Sequence, residues 1–111
     1  KYGGKTPKGF DCSGFTRYVM KEFDVELPGV SAYQAKEGKK VREKDARPGD
    51  LVFYRRSPVG KVFHVSLVVD NDKEEGLTVI HSVSRGVVVE NISQSTYWAP
   101  KIAFVRDVLD N

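Results

Sequence analysis

The chain has 111 residues, of which 40% are hydrophobic and 30% are charged, and its formal net charge is +3. This length and composition predict one globular domain over residues 1–111 and exclude a disordered chain. The longest nearly apolar run, HVSLVV, is far shorter than the ~20 residues that a membrane helix needs, so we expect no membrane span.

The N-terminal part of the chain predicts a loop followed by a helix. Residues 1–10 are rich in glycine and proline, and the abrupt start at Lys1 leads us to expect a trimmed N-terminus. An apolar stripe at four-residue spacing then predicts a helix over residues 12–23, with Asp11 as its N-cap. The stripe consists of Phe15, Val19 and Phe23, with Tyr18 beside them.

The rest of the chain predicts a short helix and then strands. Ser31 and Gln34 form a capping-box pattern, and Gly38 closes the helix that they begin. After the turn at Pro48-Gly49, β-branched runs separated by turn residues predict strands. These strands are 51–54, 62–69, 77–82, 87–91 and 102–108. Helices followed by strands indicate an α+β fold, with the first helix packed on an antiparallel sheet of about five strands.

The two histidines fall on consecutive predicted strands. A hairpin centred between Asp72 and Lys73 would pair residues whose numbers sum to 145, by arithmetic on the sequence. His81 would then lie directly opposite His64, with their Cβ atoms roughly 5 Å apart on one face of the sheet. The same register pairs Leu77 with Val68 and Val79 with Ser66.

Cys12, the one cysteine of the chain, lies at the predicted start of the first helix. The helix dipole and the free N–H groups there favour a thiolate, and a neighbouring histidine could hold the proton. A second histidine could orient the first, and the N–H of Cys12 could stabilise an oxyanion. A buried cysteine that only fills space is the competing interpretation, and spacing alone does not decide between the two.

Metal and nucleic-acid functions are not supported by the sequence. One cysteine and two histidines provide no cluster of zinc ligands at short spacing, so we expect no metal. The basic residues are interspersed with acidic ones, as in KEGKKVREKDAR, and no basic stripe carries interleaved aromatic residues. A solvated surface is as compatible with this pattern as attraction to an anionic polymer.

Several motifs in order resemble the NlpC family of papain-like cell-wall peptidases. They are YGG, GFDCSGF, ELP, RPGDLVFY, HVSLVVD and IHSVSRGVVVE, and they cover nearly the whole chain. The spacing and the tail, with STYW and then FVRDV, are most similar to the Spr-type lipoprotein endopeptidases of that family. The chain departs from the family in having Ser66 where members commonly have glycine.

The resemblance implies a papain-like core and a role for particular residues. Cys12 matches the nucleophile, His64 the general base, and His81 the third residue, which orients the base. Asp11 and Ser13 match positions that line the substrate side of the nucleophile in some relatives. No cofactor is implied.

The function implied by the resemblance is hydrolysis of amide bonds in the peptide part of bacterial peptidoglycan. It further implies an extracytoplasmic location and is compatible with a lipid anchor in a longer protein, and a monomer is the default expectation. A γ-D-glutamyl bond and a D-alanyl cross-link, each to a diamino acid, are both open as the scissile bond. The alternatives are a non-catalytic wall-binding module of the same fold and a lipid acyltransferase, whose relatives tend to place histidine before cysteine.

Overall fold

The computed structural model describes residues 12–21, residue 34 and residues 38–109, with residues 12 and 13 described by their backbone alone. One α-helix, α1 (Cys12–Lys21), precedes six strands in the described part of the chain. The strands are β1 (Lys39–Val41), β2 (Leu51–Arg55), β3 (Val62–Asp72), β4 (Gly76–Val83), β5 (Gly86–Asn91) and β6 (Ile102–Asp107). Two 3₁₀ turns lie at Glu43–Asp45 and Ala99–Lys101.

The strands form one antiparallel sheet in the order β1-β6-β2-β3-β4-β5. The five predicted strands are all present, and the α+β class is confirmed. Strand β1, which pairs with β6, was not predicted. It is three residues long, reads Lys-Lys-Val and buries neither lysine, so it has no apolar alternation to detect.

Two apolar clusters lie on opposite faces of the sheet, because successive side chains of a strand alternate between faces. Helix α1 packs against β3 and β4 and contributes Met20 to the first cluster. That cluster contains Met20, Leu51, Phe53, Val65, Leu67 and Val108. The second cluster contains Ala46, Val52, Tyr54, Val68, Leu77, Val79, Ile92 and Val105, with Trp98 packed against it. The connection between β5 and β6 therefore covers the second face, through Ile92 and Trp98.

Helix α1 confirms the predicted helix over the residues described. Phe15 is buried and Val19 is partly buried, as the stripe predicts, but Tyr18 is 46% exposed. The buried face is shifted instead toward Thr16, whose hydroxyl donates a buried hydrogen bond of 2.8 Å to Oε1 of Gln34. The predicted cap at Asp11 and the predicted end of the helix at Phe23 lie outside the described residues.

The second predicted helix falls mostly outside the described residues. Gln34 is helical and fully buried, whereas Ser31, its predicted partner in the capping box, is not among the residues described. Gly38 has a φ of +72°, in the left-handed region that glycine adopts without strain. It directly precedes β1, and its carbonyl accepts a hydrogen bond of 3.0 Å from the Arg106 guanidinium.

The predicted register of the β3–β4 hairpin is wrong by two residues near the histidines. Val79 pairs with Val68, whereas the prediction paired it with Ser66. The turn is centred later than predicted, because Asp72 pairs with Gly76, and Val69 forms a bulge in β3. Continuing the pairing of Leu67 with Ile80 by one step places His81 beside Ser66, diagonal to His64 on the same face.

Candidate active site

His64 and His81 form a buried hydrogen-bonded pair. His64 lies near the start of β3, and His81 lies on the neighbouring strand β4. Nε2 of His64 is 2.8 Å from Nδ1 of His81, and the rings meet edge-on with their centroids 5.0 Å apart. Only 6% of His64 and none of His81 is exposed to solvent. The prediction that both histidines share one face is confirmed, although the contact is diagonal and not directly across the ladder.

A carboxylate on the next strand extends this pair. Nε2 of His81 lies 2.7 Å from Oε1 of Glu90 on β5, and Arg85 donates a 3.1 Å hydrogen bond to the other carboxylate oxygen. The motifs did not single out Glu90. One sequence signal points to it, since Glu90 is the one charged residue in the strand GVVVEN. The structure places it diagonal to His81, which pairs with Val88.

Aromatic rings hold the imidazole of His64 in place. The indole of Trp98 stacks on it with centroids 4.5 Å apart and an interplanar angle of 24°, and the phenol ring of Tyr54 lies at 5.2 Å. The Tyr54 and Ser66 hydroxyls share a buried hydrogen bond of 2.7 Å. Ser66 thus gives the buried tyrosine hydroxyl a partner.

Burial keeps both histidines neutral in the folded domain. Removal from water, together with the neighbouring His81, lowers the pKa of His64 to about 3. Burial also lowers the pKa of His81, while its hydrogen bond to Glu90 and the charge of that carboxylate act in the opposite direction. At neutral pH each ring therefore carries one proton, on one of its two nitrogens.

His64 opens onto a cleft of about 470 Å³. The cleft is lined by Arg56, Phe63, His64, Ser82, Val83, Ser84, Arg85, Glu90, Ser95, Tyr97 and Trp98. A second cleft of about 490 Å³, beside Asn71 and Ser93, has no histidine or cysteine in its described lining. Because His64 borders the first cleft and is hydrogen-bonded to His81 behind it, we place the candidate site there.

Cys12 is the first residue of α1, and this helix packs on the two strands that carry the histidines. The side chains of Cys12 and Ser13, and the whole of Asp11, lie outside the described residues. The structure therefore brings His64 and His81 together, and the roles assigned to the three residues from Asp11 to Ser13 stay predictions. Within the described ranges, no group of three or more His, Cys, Asp or Glu residues could hold a metal ion.

Comparison with known proteins identifies the family of this chain. A model described as the NlpC/P60 family matches residues 1–107. The chain is 37% identical over 103 residues to the gamma-DL-glutamyl hydrolase of Bacillus subtilis, covering 89% of this chain and 24% of that protein. It is 35% identical over 111 residues to "Murein DD-endopeptidase MepS/Murein LD-carboxypeptidase" of Escherichia coli K12, covering 98% of this chain and 55% of that protein.

Among solved structures, the NlpC/p60 domain of the peptidoglycan hydrolase SagA superposes with a TM-score of 0.75 at 31% identity, covering 96% of this chain and 84% of that one. This likeness supports the papain-like α+β fold, and the match to MepS is consistent with the Spr-type resemblance. The chain spans about a quarter and about half of the two curated relatives, respectively. Since the family model covers nearly all of it, the chain belongs to the NlpC/P60 family.

Proposed function

We propose that this domain is a cysteine peptidase that hydrolyses amide bonds in the peptide part of bacterial peptidoglycan. The observation that carries the proposal is the buried hydrogen bond between His64 and His81 at the edge of a cleft. Cys12 begins the helix that packs on the same two strands. A thiol, a base and a residue that orients the base are the parts that acyl transfer through a covalent intermediate requires.

In the proposed mechanism, His64 takes the proton of the Cys12 thiol, and the thiolate attacks the substrate carbonyl. The backbone N–H of Cys12, at the N-terminal end of α1, stabilises the tetrahedral oxyanion. The protonated His64 then gives its proton to the leaving amine as the C–N bond breaks, which leaves a thioester on Cys12. Water, deprotonated by His64, hydrolyses the thioester and restores the thiol.

The burial of His64 suits a base that is neutral before each turnover. With its pKa lowered to about 3, the imidazole does not hold a proton from bulk water at neutral pH. A charge on His64 becomes favourable only when the thiolate forms beside it. His64 borders the cleft described above, so its ring can be reached from that side.

The substrate class follows from the relatives. One is named a murein endopeptidase and carboxypeptidase, and another a glutamyl hydrolase. Together they support a stem or cross-link peptide of the cell wall as substrate, and an extracytoplasmic place of action. Asp11 and Ser13 flank the nucleophile in sequence, and we propose that they contact the substrate on that side.

Thiol alkylation tests whether His64 activates Cys12. We expect iodoacetamide to label the native domain at neutral pH at least ten-fold faster than His64→Ala, since the histidine raises the thiolate fraction. Cys12→Ser should not label, which assigns the signal to this thiol. Equal, slow labelling of the native and His64→Ala proteins would contradict the proposal.

Digestion of purified peptidoglycan tests the reaction itself. Cys12→Ser should melt like the native domain and lose turnover, because a serine hydroxyl is much harder to ionise. The masses of the released fragments identify the bond that is cut, whether γ-D-glutamyl or D-alanyl. Binding of sacculi without any fragment release would favour a non-catalytic wall-binding module.

A further inference from the structure

The proton positions in the hydrogen-bonded chain from Arg85 to His64 follow from its chemistry. Arg85 donates a hydrogen bond to the Glu90 carboxylate, and a carboxylate only accepts hydrogen bonds. Nε2 of His81, 2.7 Å from Glu90, must therefore carry a proton and donate it to the carboxylate. Because His81 is neutral, its Nδ1 is then unprotonated and can only accept.

The same reasoning applies to His64. The partner of Nδ1 in His81 is Nε2 of His64, at 2.8 Å. Since one atom of the pair must donate, Nε2 of His64 carries the proton. A neutral His64 then has a bare Nδ1, whose lone pair is free to accept a proton. If both rings were in the opposite tautomer, Nδ1 of His64 would carry the proton and could not act as a base.

We propose that Glu90, anchored by Arg85, is a positioning residue that fixes one tautomer of His81 and, through it, one tautomer of His64. The tautomer assignment depends on the described hydrogen bonds and on both rings being neutral. Its consequence for catalysis, that Nδ1 of His64 is the atom that takes the Cys12 proton, rests on the proposed function. When His64 is protonated during the reaction, its Nε2 still donates toward His81.

The location of Glu90 fits a positioning role. Its side chain is 24% exposed, while His81 behind it is fully buried, so the carboxylate stands between the imidazole and solvent. The neighbouring Val89 on β5 is 61% exposed and points away from the site. The charged side chain within GVVVEN thus hydrogen-bonds to His81 and to Arg85. Partners of ligating or catalytic histidines of this kind change activity by about 10–100-fold when they are removed.

NMR of the histidine ring nitrogens tests the tautomers without relying on activity. The protein is labelled with ¹⁵N-histidine in the Cys12→Ala background at neutral pH, so that no thiolate affects His64. We expect Nε2 protonated and Nδ1 bare in both rings. Glu90→Ala should give mixed tautomers in both, whereas Glu90→Gln, which keeps an acceptor oxygen, should largely preserve the assignment. Glu74→Ala, a glutamate in the β3–β4 turn, is the matched control and should leave both rings unchanged.

Kinetics on a defined peptidoglycan peptide test the consequence for catalysis, with Cys12 restored. Glu90→Ala should lower kcat by about 10-fold or more with KM unchanged, and Glu90→Gln should recover most of the loss. Glu90→Leu fills the same space without an acceptor and replaces the alanine variant if that variant does not fold.

Two results would overturn the inference: ring tautomers that are the same in Glu90→Ala and the native protein, or mixed tautomers with an unchanged kcat. Failure of the proposed function has a different signature. In that case the native domain would release no fragments, or Cys12→Ser would keep turnover, while the tautomer shift in Glu90→Ala would still be observed.

Discussion

Acidification should unfold the domain partly through His64, and the sign follows from its burial. The folded state lowers the pKa of His64 to about 3, whereas an unfolded histidine has a pKa of about 6.5. Below pH ~6.5 the unfolded chain binds a proton that the folded domain does not. The free energy of unfolding therefore falls as the pH drops below about 6.5 and continues to fall until about pH 3.

The size of the effect can be worked out for a convenient pH range. Between pH ~7 and ~5, an unfolded histidine goes from mostly neutral to almost fully protonated while His64 stays neutral. The linkage relation then gives a loss of about 2 kcal/mol of stability from His64 alone. His81 adds a loss of the same sign, because burial lowers its pKa as well.

Two variants isolate the contribution of His64. Cys12→Ala is compared with Cys12→Ala/His64→Gln, since a thiolate beside His64 would raise its pKa and obscure the effect of burial. Urea unfolding at pH ~7 and ~5 is followed by the fluorescence of Trp98, the one tryptophan of the chain. His81 and every carboxylate are present in both proteins, so their contributions largely cancel in the difference.

We expect Cys12→Ala to lose about 2 kcal/mol more between these pH values than the double variant does. Equal losses in the two proteins would show that His64 has an ordinary pKa in the folded state, which would refute the reasoning from burial. A gain of stability on acidification, relative to the double variant, would show that the folded domain prefers the imidazolium.

Three further outcomes are expected. His81→Gln should retain measurable activity, since its amide oxygen can accept from Nε2 of His64, whereas His81→Ala should lose at least 10-fold more in kcat on the same peptide. Ser66→Ala should lower the free energy of unfolding by about 1–2 kcal/mol, because it leaves the Tyr54 hydroxyl buried without its partner; thermal melting measures this. Gly38→Ala should destabilise the domain by at least about 1 kcal/mol, because its φ is +72° and an added Cβ would collide with the backbone of β6.

The order of elements was predictable because the signals for them are local. The run 51–54 is apolar and is followed by Arg55 and a turn, and β3 to β6 each carry their own β-branched residues. Strand β1 has no local signal of this kind. Its place in the sheet comes from pairing with β6, which lies far along the chain. Its position depends on Gly38 and on residues some 68 positions away, such as Arg106, which donates to the Gly38 carbonyl.

The site was predictable to the extent that it depends on residue types in a known order. His64 and His81 follow from their motifs, and their contact follows from a hairpin that joins neighbouring strands. Predicting the role of Glu90 would have required the register of a second hairpin, in which His81 pairs with Val88 and Glu90 is diagonal to His81. The contact of Trp98 with His64 was harder to predict, because Trp98 lies in an irregular connection that has no repeating pattern.

The bulge at Val69 is what brings the two histidines to one face. At the turn, paired residues of β3 and β4 have numbers that sum to 148, as for Asp72 with Gly76. If that register continued without interruption, His81 would pair with Leu67, and His64, an odd number of residues from Leu67, would point to the opposite face. The extra residue in β3 changes the sum to 147, as for Leu67 with Ile80, and restores the shared face. A turn predicted too early and an unpredicted bulge therefore had opposite effects on the register, and the shared face of the two histidines was predicted correctly although the pairing itself was wrong.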